Sequence, residues 1–289
     1  MVVKKTPAGA TKNRVTEKMV FVHERPSAEA CVLEVKSIHD QYADASYSDF
    51  VEAPANSAIY TEYYHYSFFE ALRAELECSA KSGECSAILD LACGNAILGR
   101  KLLAQILSPS AAAGVRVTAV DASEAMLKEA RRLCAAEALE SSFTFVHSNV
   151  GSLPVDLGLF DCVISGFFFG HANSKEQLCL FFANIAKHLK PGGSTRHIIP
   201  APINEQSVPD GFVERALLPL THTDGTTREI ELFDYHWQAE TYRSAVKDAG
   251  LVEFCYERAA ISAKGCSEMG LSEDTLHVRV VLLSAKKPL

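Results

Sequence analysis

Two acidic residues and the small residues between them mark the part of the chain best suited to bind a ligand. Asp90 ends a short apolar run, and Ala92, Cys93 and Gly94 follow it. Small side chains let a ligand approach the backbone, and the first turn of a helix leaves N–H groups without partners. The pattern predicts a buried strand, a ligand-binding turn and a helix between residues 87 and 107.

Asp121 ends a second apolar run, which begins at Val115. A carboxylate at the tip of the second strand of an α/β sheet can accept hydrogen bonds from both hydroxyls of a ribose. This position therefore predicts a nucleoside-type ligand. The alternative is that Asp121 only caps the helix that follows it.

The spacing Asp90-x-Ala92-x-Gly94-x-Ala96 resembles motif I of the class I S-adenosylmethionine (SAM)-dependent methyltransferases, D/E-x-G-x-G-x-G. Two of the three glycines are alanine here. A nicotinamide-binding fingerprint needs G-x-G-x-x-G in this place, and Ala92, Gly94 and Ile97 do not supply it. The resemblance therefore favours SAM over a dinucleotide.

A second block, FDCVISGFFFGHAN at residues 160–173 with LKPGG at residues 189–193, resembles the fourth-strand region and the turn before the fifth strand of the same family. Together the two blocks extend the resemblance over roughly residues 38–284. Independently of it, Pro191 and Gly192 are typical of the end of a helix.

The resemblance implies SAM as the cofactor, with the adenine beside Asn149 and Val150. Asn149 can instead be a plain turn residue. Aromatic faces suit a sulfonium cation, and the Tyr-containing N-terminal segment of the family folds over the cofactor. The cofactor-binding residues implied in this way are Tyr42, Tyr47, Asp90, Ala92, Cys93, Gly94, Asp121, Ala122, Met126, Asn149, Val150 and Ser165.

Three residues are candidates for contacting the methyl acceptor or relaying its proton. They are His171, which follows the fourth strand, and the neighbours Tyr235 and His236. A base is needed only when the acceptor is protonated in its attacking form. The alternatives are that His171 begins the next helix and that the other two pack against or cap the following one.

Charge and cysteine content exclude several classes of protein. The chain has 28 basic and 36 acidic residues and a net charge of −8, which disfavours binding to nucleic acid or to an anionic membrane. The nine cysteines include no C-x-x-C pair and no Cys/His grouping with zinc spacing. We therefore expect reduced thiols, no metal site and a cytoplasmic protein, with an organelle-targeting basic N-terminus as the alternative.

The chain divides into three parts. Residues 1–29 lack periodicity and predict a flexible tail, and residues 30–84 predict a helical cap over the cofactor. In the cap a stripe at four-residue steps faces the core: Tyr60, Tyr64, Phe68, Leu72 and Leu76. Residues 85–289 predict the SAM-binding domain, in which an insertion at about 201–233 forms a lid with an edge strand at 229–233.

Alternating strands and helices predict a doubly wound α/β sheet. Further predicted elements are a fifth strand within 194–202, a helix over 238–249 and two final strands at 251–256 and 276–284. The family fold implies seven strands in the order 3-2-1-4-5-7-6, mostly parallel, with the last antiparallel. The switch point then lies between strands one and four.

These observations predict a SAM-dependent methyltransferase that moves a methyl group by in-line displacement to a small metabolite. Its acceptor atom belongs to an amine, a thiol or thioether, or a hydroxyl. The alternative is a SAM-binding protein without transferase activity, acting as a sensor or partner subunit. We expect a small-molecule partner and neither nucleic acid nor membrane, and the oligomeric state, monomer or dimer, is left open.

Overall fold

The computed structural model describes residues 20–22, 60–81, 83, 85–201, 208–221, 227–269 and 280–289. The predicted tail, apart from Val20–Val22, lies outside these residues. So does the predicted cap before Tyr60, which includes Tyr42 and Tyr47.

The strands and helices are numbered here in chain order over the described residues. The strands are β1 Val20–Val22, β2 Ser86–Leu91, β3 Val115–Asp121, β4 Phe143–His147, β5 Phe160–Gly166, β6 Leu189–Pro200, β7 Phe212–Thr221, β8 Thr227–His236, β9 Val252–Arg258 and β10 Val280–Lys286. The α-helices are α1 Tyr66–Lys81, α2 Ile97–Lys101, α3 Pro109–Ala113, α4 Glu124–Ala136, α5 Lys175–His188, α6 Ala239–Asp248 and α7 Ala263–Met269.

Seven strands form the central sheet in the spatial order β4-β3-β2-β5-β6-β10-β9. Strands β2 to β6 pair in parallel, whereas β10 is antiparallel to both β6 and β9. Counted along the chain within this sheet, the order is 3-2-1-4-5-7-6, which confirms the predicted topology. The sheet changes winding direction between β2 and β5, so a crevice opens at their carboxyl ends.

Helices cover both faces of the sheet because its strands are apolar on both sides. On one face α1, α2 and α4 pack against residues such as Ile88 and Val117. On the other face α5 and α6 pack against residues such as Leu89 and Val163. The predicted stripe of α1 is confirmed at its three apolar positions: Phe68, Leu72 and Leu76 are buried.

Strand β6 begins earlier than predicted. Leu189 already pairs with Phe160, and the register then shifts so that Ser194 pairs with Cys162. The Lys190 to Gly193 segment, predicted to be the turn before the strand, is therefore an irregularity within it. Lys190 anchors this segment, because its ammonium donates to both carboxylate oxygens of Asp161 at 2.8 and 2.9 Å.

The predicted insertion contains a hairpin. Strands β7 and β8 pair antiparallel from Thr221↔Thr227 to Phe212↔His236, and β1 pairs with β7 to give a separate three-stranded sheet. The predicted edge strand at 229–233 lies within β8, at the edge of this sheet. Within the described residues no helix has the length and apolar character needed to cross a membrane.

The hairpin supports the segment after β5, a short 3₁₀ turn at Phe168–His171. Gly170 in this turn faces β8 so closely that a Cβ added to it would lie 2.4 Å from Oδ1 of Asp234 and 3.0 Å from Cγ of Pro200. A glycine is therefore needed where the turn meets the hairpin.

Replacing Gly170 with alanine should lower the free energy of unfolding by ~1–3 kcal/mol, the range for forcing extra atoms into a packed site. Urea unfolding followed by circular dichroism measures this change. A stability equal to that of the unsubstituted protein would contradict the close contact between β8 and the turn.

Candidate active site

The carboxylate of Asp121 links the end of β3 to the turn that follows β2. Asp121 ends β3, and its Oδ2 accepts a hydrogen bond from the backbone N–H of Gly94 while its Oδ1 accepts one from Ser123, both at 2.8 Å. The N–H of Cys93 also donates to the carbonyl of Val120 at 3.0 Å. The turn after β2 is therefore fixed to the end of β3.

The turn after β2 has an unusual backbone. Ala92, Gly94 and Ala96 have φ angles of 51°, 55° and 59°, all in the left-handed region. This region costs an alanine roughly 1–2 kcal/mol but costs a glycine almost nothing. At Gly94 a Cβ would in addition lie 3.3 Å from Cε of Met126. The chain thus keeps the backbone path of the glycine-rich motif with alanine at two positions.

A buried arginine supports this turn from below. Arg100 in α2 is almost fully buried; its Nε donates to the carbonyl of Asn95 at 3.1 Å, and its guanidinium pairs with Glu137. A buried guanidinium needs such partners because an unpaired charge away from water is costly. Arg100 therefore holds the end of the turn against α4.

A cavity of about 210 Å³ lies over the carboxyl ends of β4, β3, β2 and β5. Its lining residues are His65, Asp90, Ala92, Cys93, Gly94, Asn95, Ile97, Leu98, Asp121, Ala122, Met126, Asn149, Val150, Gly166, Phe167, Phe168, His171, Gln177 and Phe181. Most residues predicted to bind the cofactor are brought together here, from three consecutive strand ends. Within the described residues, no group of three His, Cys, Asp or Glu side chains is placed to hold a metal ion.

Ser165, also predicted to bind the cofactor, does not line the cavity. It is fully buried and its hydroxyl hydrogen-bonds Nδ1 of His197 at 2.8 Å. Thr195 donates to the carbonyl of Val163 and so accepts from Nε2 of His197, at 2.5 Å. Burial lowers the pKa of His197 to about 3, so this neutral network only links β5 to β6.

Asp90 is the most unusual group in the cavity. Its side chain is 1% exposed, and within the described residues neither carboxylate oxygen has a hydrogen-bond partner. Burial raises the pKa of Asp90 to about 8, and the negative charge of Asp121 adds to this shift. The nearby backbone N–H of Gly99 opposes the shift, although it does not meet hydrogen-bond geometry. A buried carboxyl without partners is stabilised by a cationic group that enters the cavity.

Asn149 has a defined orientation at the end of β4. Its Oδ1 accepts a hydrogen bond from the N–H of Gly151 at 2.7 Å and caps the short turn Val150–Ser152. Because Oδ1 already caps this turn, the amide nitrogen, which can only donate, is the group that Asn149 can offer to a ligand in the cavity. The sequence left this direction open.

The opposite wall is aromatic and imidazole-rich. Phe167, Phe168 and His171 come from the segment after β5, and Phe181 and Gln177 come from α5. Aromatic side chains therefore line the cavity opposite the turn after β2. His171, a predicted catalytic residue, lies in this wall.

Sequence reasoning missed His65, which precedes α1 and closes this wall. Its side chain is 1% exposed, and burial, with a smaller contribution from the charge of Lys101, lowers its pKa to about 3. It follows Tyr64 of the apolar stripe and so falls off that stripe. The sequence carries no local signal for its place in the cavity, because its burial depends on packing against Phe167 at the end of β5.

Tyr235 and His236 do not reach the cavity. Both are buried at the end of β8, where Nε2 of His236 lies 3.1 Å from Oε2 of Glu214 on the neighbouring strand. In the hairpin, Tyr235 pairs with Val213 and His236 with Phe212. Neither residue lines the cavity among the described residues, so their predicted contact with the methyl acceptor stays a prediction.

Cys93 lines the cavity as an inert thiol. Burial raises its pKa well above the usual value, and the charges of Asp121 and Asp90 add to the shift. Because the thiolate is the reactive form of cysteine and a raised pKa disfavours it, we interpret Cys93 as a small packing residue of the turn.

The comparisons with known proteins agree with this geometry. Residues 88–193, from β2 into β6, match the family model of a methyltransferase domain. A search of curated protein sequences found no match.

Solved structures share the fold at low identity. A SAM-dependent methyltransferase from Clostridium acetobutylicum is similar with a TM-score of 0.54 and 16% identity, over 90% of this chain and 100% of that one. The glycopeptide N-methyltransferase MtfA in complex with sinefungin gives 0.54 and 16%, over 75% and 87%. The sugar N-methyltransferase KedS8 from a Streptoalloteichus species gives 0.52 and 16%, over 78% and 88%.

The raised pKa of Asp90 predicts a pH dependence of stability without ligand. The folded state holds the proton up to about pH 8, whereas the unfolded state releases it near 3.8. The contribution of Asp90 is therefore complete below pH 4 and is lost as the pH rises to 8, by up to ~1.4 kcal/mol per pH unit. Asp90→Asn should remove this slope.

Urea unfolding of both proteins between pH 5 and 8 measures the difference, with exposed Asp156→Asn as the control. Parallel stability profiles for the unsubstituted protein and Asp90→Asn would contradict the assignment of a protonated, buried Asp90.

Proposed function

We propose that this chain transfers the methyl group of SAM to a small metabolite, with an amine as the favoured acceptor, in keeping with the match of residues 88–193 to a methyltransferase domain model. One observation carries the proposal. A single cavity joins Asp90, Asp121 and Asn149 on one side to Phe167 and His171 on the other.

The residues of the cavity fit the cofactor. The carboxylate of Asp121, which accepts the backbone N–H groups of Gly94 and Ser123, can also accept hydrogen bonds from the ribose hydroxyls. The amide nitrogen of Asn149 can donate to the adenine ring. The partnerless carboxyl of Asp90 can accept from the ammonium of the methionine part. Tyr42 and Tyr47, implied by the family resemblance as further contacts, lie outside the described residues.

SAM supplies an electrophilic methyl group on a sulfonium leaving group. The chain has to align an acceptor lone pair with that methyl carbon and exclude water, and such positioning accounts for most of the rate gain. The rings of Phe167, Phe168 and Phe181 form an apolar surface that does both. The carboxylates of this cavity disfavour anionic acceptors, which supports a neutral nucleophile such as an amine.

His171 is the residue proposed to handle the acceptor's proton. It is half-buried, so its imidazole has contact with both the cavity and solvent. His65 is a poorer base because its pKa is about 3. We therefore propose that His65 has a structural role in the cavity wall and that His171 accepts the proton of the methyl acceptor. The net charge of −8 supports a small-molecule partner rather than a nucleic acid.

Calorimetry with SAM and with its demethylated product, S-adenosylhomocysteine, tests the cofactor site. Transfer from methyl-labelled SAM to matched panels of amines, thiols and alcohols tests the acceptor class. We expect binding of both nucleosides and transfer to amines. Transfer only to thiols or alcohols would overturn the acceptor class, and binding without any transfer would favour the non-catalytic hypothesis.

His171→Ala should lower kcat for a protonated amine acceptor by about 10²–10⁴, the range for loss of a general base. The Kd for SAM should change less than about twofold because the ribose and adenine contacts lie elsewhere. Initial rates and calorimetry measure the two effects.

Glu176→Gln is the matched control, since Glu176 is exposed on the adjoining helix and does not line the cavity. Equal losses in kcat and in SAM affinity for His171→Ala would instead place this histidine in the cofactor half of the site.

A further inference from the structure

Phe167 has a conformation that its residue type rarely adopts. Its φ and ψ are 60° and 5°, in the left-handed region, where a bulky side chain is an outlier. Its backbone N–H donates to the carbonyl of Ile198 in β6 at 2.8 Å, which holds it there. A turn that needed only this backbone would be served better by glycine or asparagine.

The strained backbone delivers the phenyl ring to the cavity. The ring is half-buried and contacts Tyr64 edge-on at 5.8 Å between centroids and His65 at 6.1 Å. The residue before it, Gly166, approaches Leu98 so closely that a Cβ would lie 3.2 Å from Cδ1 of that leucine. The end of β5 is thus packed against α2, with the Phe167 ring in the cavity wall beyond it.

The strand order indicates which end of a bound SAM molecule this ring would face. The nucleoside contacts proposed above, Asp121 and Asn149, lie after β3 and β4. Along the sheet the next ends are those of β2 and β5. The sulfur of SAM is attached to the ribose on the side away from the base, so in a cofactor held by Asp121 and Asn149 it would lie toward β2 and β5, where Phe167 is found.

We propose that Phe167 is a specificity-determining residue whose ring faces the sulfonium and stabilises its positive charge. This inference rests on the proposed function. An aromatic face attracts a desolvated cation through the ring quadrupole. The same face stabilises the positive charge that passes to a neutral acceptor atom when the methyl group moves.

This role accounts for the retained strain better than packing does. Phe168 and Phe169, the next two residues, are buried in the core without positive φ angles. Phe167 combines partial exposure, cavity contact and a strained backbone, a combination typical of residues kept for function.

The test compares ligands that differ in charge at one atom. SAM carries a sulfonium and S-adenosylhomocysteine a neutral thioether, while sinefungin carries an amine at the equivalent place. Calorimetry with each ligand gives the affinity ratio of cation to neutral thioether. In Phe167→Leu this ratio should fall about 2- to 30-fold, the range of cation–π interactions, and in Phe167→Tyr it should be kept.

Phe145→Leu is the matched control, because Phe145 stacks on Phe143 and does not line the cavity. Phe167→Gly provides a second test that relieves the backbone strain. It should lose the ligand preference as Phe167→Leu does, yet unfold at a urea concentration no lower than that of Phe167→Leu.

An unchanged ratio of cation to thioether affinity in both Phe167→Leu and Phe167→Gly would overturn the inference and leave Phe167 as a packing residue. Failure of the unsubstituted protein to bind any of the three ligands would instead overturn the proposed function. The two failures are therefore distinguishable.

Discussion

The hydrogen bonds of the Asp121 carboxylate are the interaction on which the site depends. Its two oxygens accept backbone N–H groups from Gly94 and Ser123, one before α2 and one before α4. Hydrogen bonds to an ionised acceptor are stronger than neutral ones. They fix the two ligand-binding turns relative to each other before any ligand arrives, so the cavity floor is preformed. Ligand binding then carries no free-energy cost for ordering these turns.

Burial decides the charge state of the groups around that floor. Asp90 and His65 line the same cavity, and burial moves both toward their neutral forms, with a raised pKa in one and a lowered pKa in the other. In the unliganded site Asp90 and His65 are therefore neutral, and Asp121 is the negatively charged group beside them. A cationic ligand changes this balance, since it favours the ionised form of Asp90 over the protonated one.

The family resemblance predicts the sheet order, and apolar runs that end in acids place Asp90 and Asp121 at strand ends that line the cavity. The sequence does not predict which residues line the cavity where this depends on the direction of a side chain or on contacts between residues far apart in the chain. Ser165 is one residue from Gly166, and alternation along β5 turns it to the face of His197. His236 is buried by its pairing with Glu214 across the hairpin, and His65 by closure against the end of β5, which no local pattern encodes.

The left-handed alanines at positions 92 and 96 carry a wider lesson about recognition. A search pattern written in glycines would pass over this loop, although its main chain follows the path those glycines normally permit. The backbone φ angles of this loop keep left-handed values that suit glycine, although the residues at positions 92 and 96 are alanine. Enzymes whose loops have likewise lost motif glycines are therefore easier to find by comparing backbone torsion angles than by matching sequence patterns.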